Sequence, residues 1–553
     1  MATIRRLYVY VVAAVTLGIG LAGLTGLVRV VLDALLGGNG AIVGQGQLRE
    51  NLSLAIALTA VGVPLWLAHA WYAERQVAHP GAAGAAERGS AIRSLYLAGA
   101  IAIPLLLGAA ALADLIRAVA GGFLELESTA WIDRSSVAAN ASVLLITSVA
   151  FARLRIRDLA AGPLHGAAAR LARLALYGPL VVALFAFLFA SASAIETILR
   201  LLVGRPPVAS SGDWSESALV GALAQGLVGG AVLLLARGYA SHLVDRDDPV
   251  GDEERRSQLR AAAWLVVVIV GSGVVALAWA GAVSTLLDAF VVGGVEPLTA
   301  AEDVVAPLIS TIPFLVAVAW QRRVARREAA ELGGEARLRS IARLVDLATA
   351  AVGIALLGVG AAWSLGFFVD LTLGGSRTAA VGSGWRRELD QFLSYAIVGL
   401  PIWGWAWLSL GRRVALDRAE EVRSSARRGY LLLVGGASLV ATAVALAYIL
   451  YRVLRVVLGL EVGDLTSDLS GPLGIVAVAG TVLAGHARTI LGDVRARAAL
   501  AAAAPAEAGL VRIALVATGP ADGDPAAVVA RLRAALPDDW RLAEERGEPP
   551  AGA

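Results

Sequence analysis

The sequence predicts an all-α integral membrane protein with about twelve transmembrane helices in six parallel helical-hairpin repeats, followed by a small α/β C-terminal element. Three observations predict this fold class. The 553 residues are 58% hydrophobic and only 16% charged, whereas soluble proteins are about 25% charged. Most apolar runs are long enough to cross a hydrocarbon core of roughly 30 Å. The third observation is a pattern that recurs six times along the chain.

Each repeat begins at an arginine followed by apolar or aromatic residues, a combination typical of a membrane–water boundary. A long apolar helix follows and carries a charge shortly before a glycine, which favours helix termination. After a loop, a shorter second helix ends near an arginine cluster. The first helices are predicted at 7–35, 95–120, 174–203, 261–290, 343–373 and 429–458. The second helices are predicted at 51–73, 136–154, 216–240, 304–321, 389–411 and 471–491.

These repeats predict the domain boundaries. The apolar run from Leu7 to Leu36 is too long for the apolar region of a signal peptide, so we expect it to be the first spanning helix. The predicted domains are hairpin repeats at 1–90, 91–168, 169–257, 258–337, 338–425 and 426–497, and a linker with a small cytoplasmic tail at 498–553.

The tail changes composition and predicts a β-α-β fragment. Residues 498–509 form an alanine-rich linker, 511–517 are typical of a strand, and 525–536 of an amphipathic helix with proline at its start. A short return strand is predicted at 540–542. Because so short a fragment holds little core, we interpret it as a packing or docking module, with a regulatory ligand site as the alternative.

The distribution of arginine predicts the orientation of the chain. The face that carries the N-terminus and the links between repeats has 31 arginines, and the opposite face has 11. Positive residues remain on the cytoplasmic side of membrane proteins. We therefore expect a multi-pass protein of the cell inner (plasma) membrane with both termini in the cytoplasm.

Composition also excludes several kinds of site. The chain has no cysteine, which excludes disulfides, thiolate metal sites and cysteine nucleophiles. No zinc-protease motif, phosphate loop or nucleophile elbow is present. The sequence therefore predicts a protein that is not an enzyme and has no cofactor, no metal site and no nucleic-acid partner. The expected partners are the lipid bilayer and, through the tail, a second copy or another protein.

Two sets of polar residues are candidate sites, because charged and polar groups within a membrane are costly. One charge recurs near the end of each first helix, and these charges could form ion pairs between repeats, although charges are inexpensive in the headgroup zone. The candidates are Asp33, Arg117, Arg200, Asp288, Asp370 and Arg455. Three residues inside helices could contribute to a polar interior, with hydrogen bonding between helices as the usual alternative: Asn140, Ser191 and Gln225.

The first repeat resembles a known family. The opening Arg5-Arg6-Leu7-Tyr8, the helix that ends near Asp33, and the stretch Pro64-Leu65-Trp66-Leu67-Ala68-His69 carry the resemblance. They are similar to a bacterial polytopic membrane domain of unknown function, built of repeated two-helix hairpins. The resemblance implies the architecture and no activity, cofactor or site.

Two classes of function remain open. A structural, sensory or assembly component of the membrane is favoured because charges in the middle of helices are nearly absent. The alternative is a transporter or channel for a small neutral solute, which would require a polar cavity near the middle of the membrane.

Overall fold

The computed structural model describes residues 2–36, 45–203, 214–255, 257–292, 297–373, 384–460 and 465–503. These residues are almost entirely helical and contain no β-strand. The chain divides into two compact units, Met1–Arg497 and Ala498–Ala553. The strands and helix predicted for the tail lie outside the described residues.

Twelve of the described helical segments are long and apolar enough to cross a membrane, which confirms the predicted multi-pass architecture. The helices are α1 Ala2–Leu36, α2 Gln45–Val77, α3 Ala82–Arg88, α4 Ala91–Phe123, α5 Arg134–Ala160, α6 Gly166–Val203, α7 Trp214–Val244, α8 Pro249–Arg255, α9 Gln258–Leu287, α10 Pro297–Ser310, α11 Ile312–Leu373, α12 Gly384–Leu416, α13 Arg418–Arg423, α14 Ser425–Val457 and α15 Leu465–Ala503. Glu127–Thr129 form a 3-10 turn and Asp288–Val292 a π-turn.

The helices differ from the prediction chiefly at their ends. Most second helices continue for several residues beyond the apolar run; α2, predicted at 51–73, runs from Gln45 to Val77. The link predicted between the fourth and fifth repeats is instead part of α11, which has 62 residues. These extensions are rich in alanine, arginine, glutamate and leucine. Such residues are strong helix formers, so the helix does not end where the membrane does.

The long helices pack chiefly against their neighbours in sequence: α1 on α2, α4 on α5, α6 on α7, and α11 on α12. Glycines allow the backbones to touch. A Cβ atom added at Gly62 of α2 would lie 2.4 Å from the backbone nitrogen of Gly20 on α1. A Cβ at Gly353 would lie 2.4 Å from the backbone nitrogen of Trp403. Small residues allow the same close packing in membrane helices generally.

Further contacts join successive pairs. Helix α4 packs on α6 and α7, α6 on α9 and α10, and α9 on α11 and α12. Small and aliphatic side chains fill these contacts, with Val267, Ala280 and Ala350 fully buried. Many large apolar side chains remain exposed on the outside, as expected of a surface in contact with lipid.

Candidate functional site

The links between helix pairs contain a motif that recurs three times. The pattern Glu-x-x-Ser-x-x-Arg occupies residues 87–93, 254–260 and 421–427, each copy 167 positions after the one before. Each copy begins in a short helix, α3, α8 or α13, and ends in the first turn of the following long helix. The motif therefore recurs at the junction between two consecutive hairpins.

The serine of each copy stands at the N-cap of the long helix. The side chains of Ser257 and Ser424 accept hydrogen bonds from the backbone N–H groups of Arg260 and Arg427. Ser90 is at the N-cap of α4 in an extended conformation. Serine is favoured there because its hydroxyl satisfies a backbone donor that has no partner within the helix. The serine thus caps the arginine-bearing helix in the second and third copies, whereas the Ser90 side chain makes no capping hydrogen bond.

The glutamate of each copy is buried, at most 4% exposed. It accepts a hydrogen bond from the Nε atom of an arginine on an earlier long helix. The distance from Nε to the carboxylate oxygen is 2.8 Å in each of the three pairs, Arg6–Glu87, Arg173–Glu254 and Arg343–Glu421. Each pair joins a short link helix to a long helix about 80 residues earlier in the chain.

A tyrosine four residues after the arginine completes the first two pairs. Tyr10 and Tyr177 donate their hydroxyl hydrogens to the same glutamates, at 3.3 and 2.7 Å. In the third copy Leu347 stands at the corresponding position. Glu421 Oε2 is accordingly buried without a hydrogen-bond partner.

The arginine of the first motif is buried and contacts polar side chains on three other helices. Arg93 is 1% exposed. Its Nε atom donates to Asp158 at 2.9 Å and its Nη2 atom to Glu74 at 2.8 Å. Its Nη1 atom lies 3.3 Å from the hydroxyl of Tyr10. Arg93 thus joins α4 to α5, α2 and α1.

The last motif repeats part of this arrangement. Arg427 Nε donates to Asp493 at 2.9 Å, and Asp493 follows Asp158 by 335 positions. The two positions midway between these acids are Ala325 and Arg326, and neither is acidic. The buried arginine–aspartate pair is therefore present in the first and last thirds of the membrane unit, and in the middle third the sequence has no acid at the equivalent positions.

A cavity of about 260 Å³ lies between helices α4 and α5 on one side and α6 and α7 on the other. Its walls are mostly aliphatic, including Ile101, Leu105, Leu176 and Val232. The ionisable side chains of its lining come from the ends of α5 and α7, the start of α6, and α8. They are Arg155, Arg173, Tyr239, Glu253 and Glu254. The cavity is therefore apolar along its length and polar at one end.

Arg155 is the buried cation of this cavity, at 5% exposed. Its Nη1 and Nη2 atoms lie 3.4 Å from Ser94 Oγ and 3.2 Å from the Ser94 carbonyl oxygen. Its Nε atom is buried without a hydrogen-bond partner. The side chain of Asp158, three residues later, forms ion pairs with Arg93 and Arg157. Arg155 thus carries a buried charge whose own contacts are with neutral groups.

Three of the charges predicted to pair between repeats contact polar or charged side chains. Asp33 lies 3.8 Å from Arg29 on the same helix. Arg117 Nη2 donates to Ser217 at 3.0 Å, which joins α4 to α7. Arg200 contacts Glu196 on its own helix and lies 3.8 Å from Asp303 of α10.

The other three predicted charges lie at helix ends in different surroundings. Asp288 begins the π-turn at the end of α9, which packs on α12. Arg455 stacks over the ring of Tyr451 at 5.8 Å. Asp370 is half-buried near the end of α11. The structure thus connects Arg117 and Arg200 to other hairpins, through partners different from those predicted.

The three residues predicted for a polar interior lie apart from the cavity. Asn140 donates to the carbonyl oxygen of Ser136, and Ser191 to that of Phe187, each within its own helix. Gln225 is exposed on α7. None of the three lines the cavity between α4–α5 and α6–α7.

Sequence reasoning missed the buried residues of the motif and the two aspartates. It used the arginines of the links as markers of orientation, so Arg93 and Arg427 were counted with exposed arginines. The signal that could have found them is the spacing of 167 residues, twice the length of a hairpin, which aligns three glutamates, three serines and three arginines.

Among the described residues, no three histidine or carboxylate side chains come together in a way that could hold a metal ion. A family model described as a domain of unknown function (DUF5671) matches residues 6–149 and 343–481, just over half of the chain. Each matched region contains four of the apolar helices. No curated protein and no solved structure matches the chain.

Proposed function

Because this chain belongs to that family of unknown function (DUF5671), to which no activity is assigned, we propose from the structure that it is a structural or assembly component of the cell membrane. In this proposal it is neither an enzyme nor a solute transporter. Its role is to hold a large, rigid helical surface in the lipid, to which another copy or a different protein binds, for example through the tail.

The observation that carries this proposal is how the interior is filled. Small and aliphatic side chains occupy the contacts between helices. The side chains of Asn140 and Ser191 donate hydrogen bonds to backbone carbonyl groups of their own helices. A transporter needs a polar site near the middle of the membrane, formed by several helices. The cavity found in the described part of the chain is mostly aliphatic, which favours the structural role over transport of a neutral solute.

The repeated buried ion pairs support a rigid assembly of six parallel hairpins, grouped as three units of about 167 residues. Arg6–Glu87, Arg173–Glu254 and Arg343–Glu421 each tie the start of one unit to the link between its hairpins. The two regions that match the family model coincide with the first and third units. One four-helix unit is therefore the proposed building block.

We further propose that the links carrying the motif lie in the cytoplasm, since they belong to the face that carries 31 arginines, against 11 on the opposite face. The protein has no cysteine of its own, so a single introduced cysteine can report on which side of the membrane it lies. We expect an impermeant maleimide to label Glu127→Cys in intact cells. His79→Cys and Asp247→Cys should react only after the membrane is permeabilised.

All three positions are exposed in the structure, so differences in labelling report the side of the membrane rather than burial. Labelling of His79→Cys in intact cells, with Glu127→Cys protected, would reverse the proposed orientation.

The absence of a transport path is tested with cysteines inside the helices. A charged methanethiosulfonate reagent should leave Ser191→Cys and Asn140→Cys unmodified from either side of the membrane, because the reaction needs water. Glu127→Cys is the reactive control, and labelling after unfolding in detergent shows that each thiol is intact.

Modification of Ser191→Cys in the folded protein is the decisive contrary result, since Ser191 lies about 18 Å along α6 from its C-terminal end. Such a result would replace the structural role with a water-filled pathway.

A further inference from the structure

We infer that the cavity between α4–α5 and α6–α7 binds one acyl chain of an anionic lipid, with Arg155 as the residue that recognises the anionic group. This site is separate from the proposed structural role and does not depend on it. The inference rests on the shape of the cavity, the chemistry of its walls and the unsatisfied charge at one end.

The cavity has the length of a lipid chain. It extends from Pro163, Leu164 and the residues of α8 to Leu105 on α4. On α6 the lining runs from Ala169 to Pro179, which corresponds to about 15 Å along the helix axis. One leaflet of the hydrocarbon core is about 15 Å thick. The cavity therefore spans roughly one leaflet, beginning at the end of the helices where headgroups lie.

Its walls suit a hydrocarbon. Ile101, Ile156, Leu176, Val232 and Leu235 line it, and they come from α4, α5, α6 and α7. A volume of about 260 Å³ is close to the lower end of ligand-binding cavities. An apolar chain is the ligand that such walls bind without leaving polar groups unsatisfied.

Arg155 supplies the selectivity. A buried guanidinium is costly unless an anion neutralises it, yet its described contacts are the hydroxyl and carbonyl oxygens of Ser94. Its Nε atom has no partner. A carboxylate or phosphate at the polar end of the cavity would neutralise the charge and accept the unused hydrogen bond.

Two carboxylates also lie at this end, and they differ in burial and pairing. Glu254 is neutralised by Arg173 at 2.8 Å and receives the hydroxyl hydrogen of Tyr177. Glu253 lies 3.4 Å from Arg173 and 3.5 Å from His165. The Glu253 side chain is 39% exposed, so solvent screens its charge, whereas Arg155 is buried and is the cation that an incoming anion can neutralise.

The test uses the full-length chain, purified in detergent and stripped of lipid. It is incubated with oleate, with phosphatidylglycerol or with phosphatidylcholine, and bound molecules are counted by native mass spectrometry. We expect retention of at least one anionic ligand about tenfold above phosphatidylcholine, and a loss of about tenfold in Arg155→Gln. Oleate retention would identify a free fatty acid, and phosphatidylglycerol retention a phospholipid.

Three variants separate the site from general binding of lipid to the outer surface. Arg153→Gln removes an exposed arginine that does not line the cavity and should retain ligand normally. Arg155→Lys should preserve most of the preference for anions. Ala236→Trp fills the cavity from α7 and should abolish the retention of anionic ligand. This variant tests the site independently if Arg155→Gln fails to fold. Equal retention of all three probes, or retention unchanged in Ala236→Trp, overturns the inference.

Discussion

Arg93→Met is expected to destabilise the protein by about 3–5 kcal/mol, the largest effect we expect of any single charge removal. The substitution leaves Asp158, which is 2% exposed, with a buried charge from which its principal partner has been removed. Breaking a buried ion pair by removing one partner costs that amount because the remaining ion is not neutralised. Glu74 and Tyr10 would also lose a hydrogen bond to the same side chain.

The measurement is unfolding in mixed micelles, monitored by circular dichroism as the fraction of denaturing detergent rises. Arg153→Met is the matched control, because that arginine lies on α5, five residues before Asp158, and is exposed. Its replacement should cost well under 1 kcal/mol. The double variant Arg93→Met with Asp158→Leu should recover much of the loss, since it also removes the buried carboxylate that Arg93 neutralised. Equal stability of the two single variants would show that the Arg93 contacts do not hold the hairpins together.

Gly62→Ala is expected to cost about 3 kcal/mol or more, because α1 and α2 would have to separate. The added Cβ atom would lie 2.4 Å from the backbone nitrogen and 2.7 Å from the Cα atom of Gly20. These are backbone atoms and cannot move aside as a flexible side chain can. Overpacking of this kind commonly costs 1–3 kcal/mol, and here it adds to the loss of contacts along the whole helix pair.

Gly18→Ala is the matched control for this prediction. Gly18 is on α1, and a Cβ added there meets nothing within 4 Å. Its replacement should leave stability unchanged or raise it by at most about 1 kcal/mol, through the helix propensity of alanine. A result in which both glycine variants have the same stability would contradict the close contact of α1 and α2. The same unfolding assay measures both.

Much of the fold was predictable because a membrane helix is specified locally. The apolar length of each segment, compared with the thickness of the bilayer, is enough to recognise it without knowing its neighbours. The twelve predicted segments and the twelve observed spans therefore coincide, and they differ mainly at the ends. The ends were missed because an arginine-rich extension such as the one within α11 stays helical beyond the apolar run.

The candidate site was predicted far less well. The charges proposed to pair between repeats were chosen by their position near glycines, yet the deeply buried pairs lie at the opposite ends of the helices, in Arg93–Asp158 and Arg343–Glu421. Polar residues such as Ser191 were grouped by their depth in the membrane. In the structure this hydroxyl donates to the helix that carries it, an outcome that depth alone does not specify.

What the sequence by itself determined is the number of crossings, their approximate bounds and the family architecture, because hydrophobicity acts on each segment separately. Only the tertiary structure decided which arginines are buried and which acids neutralise them. Arg93 and Asp158 are 65 residues apart, and their charges meet only after two helices have packed. The cavity beside Arg155 likewise exists only where four helices leave a gap between them, so no single segment could have revealed it.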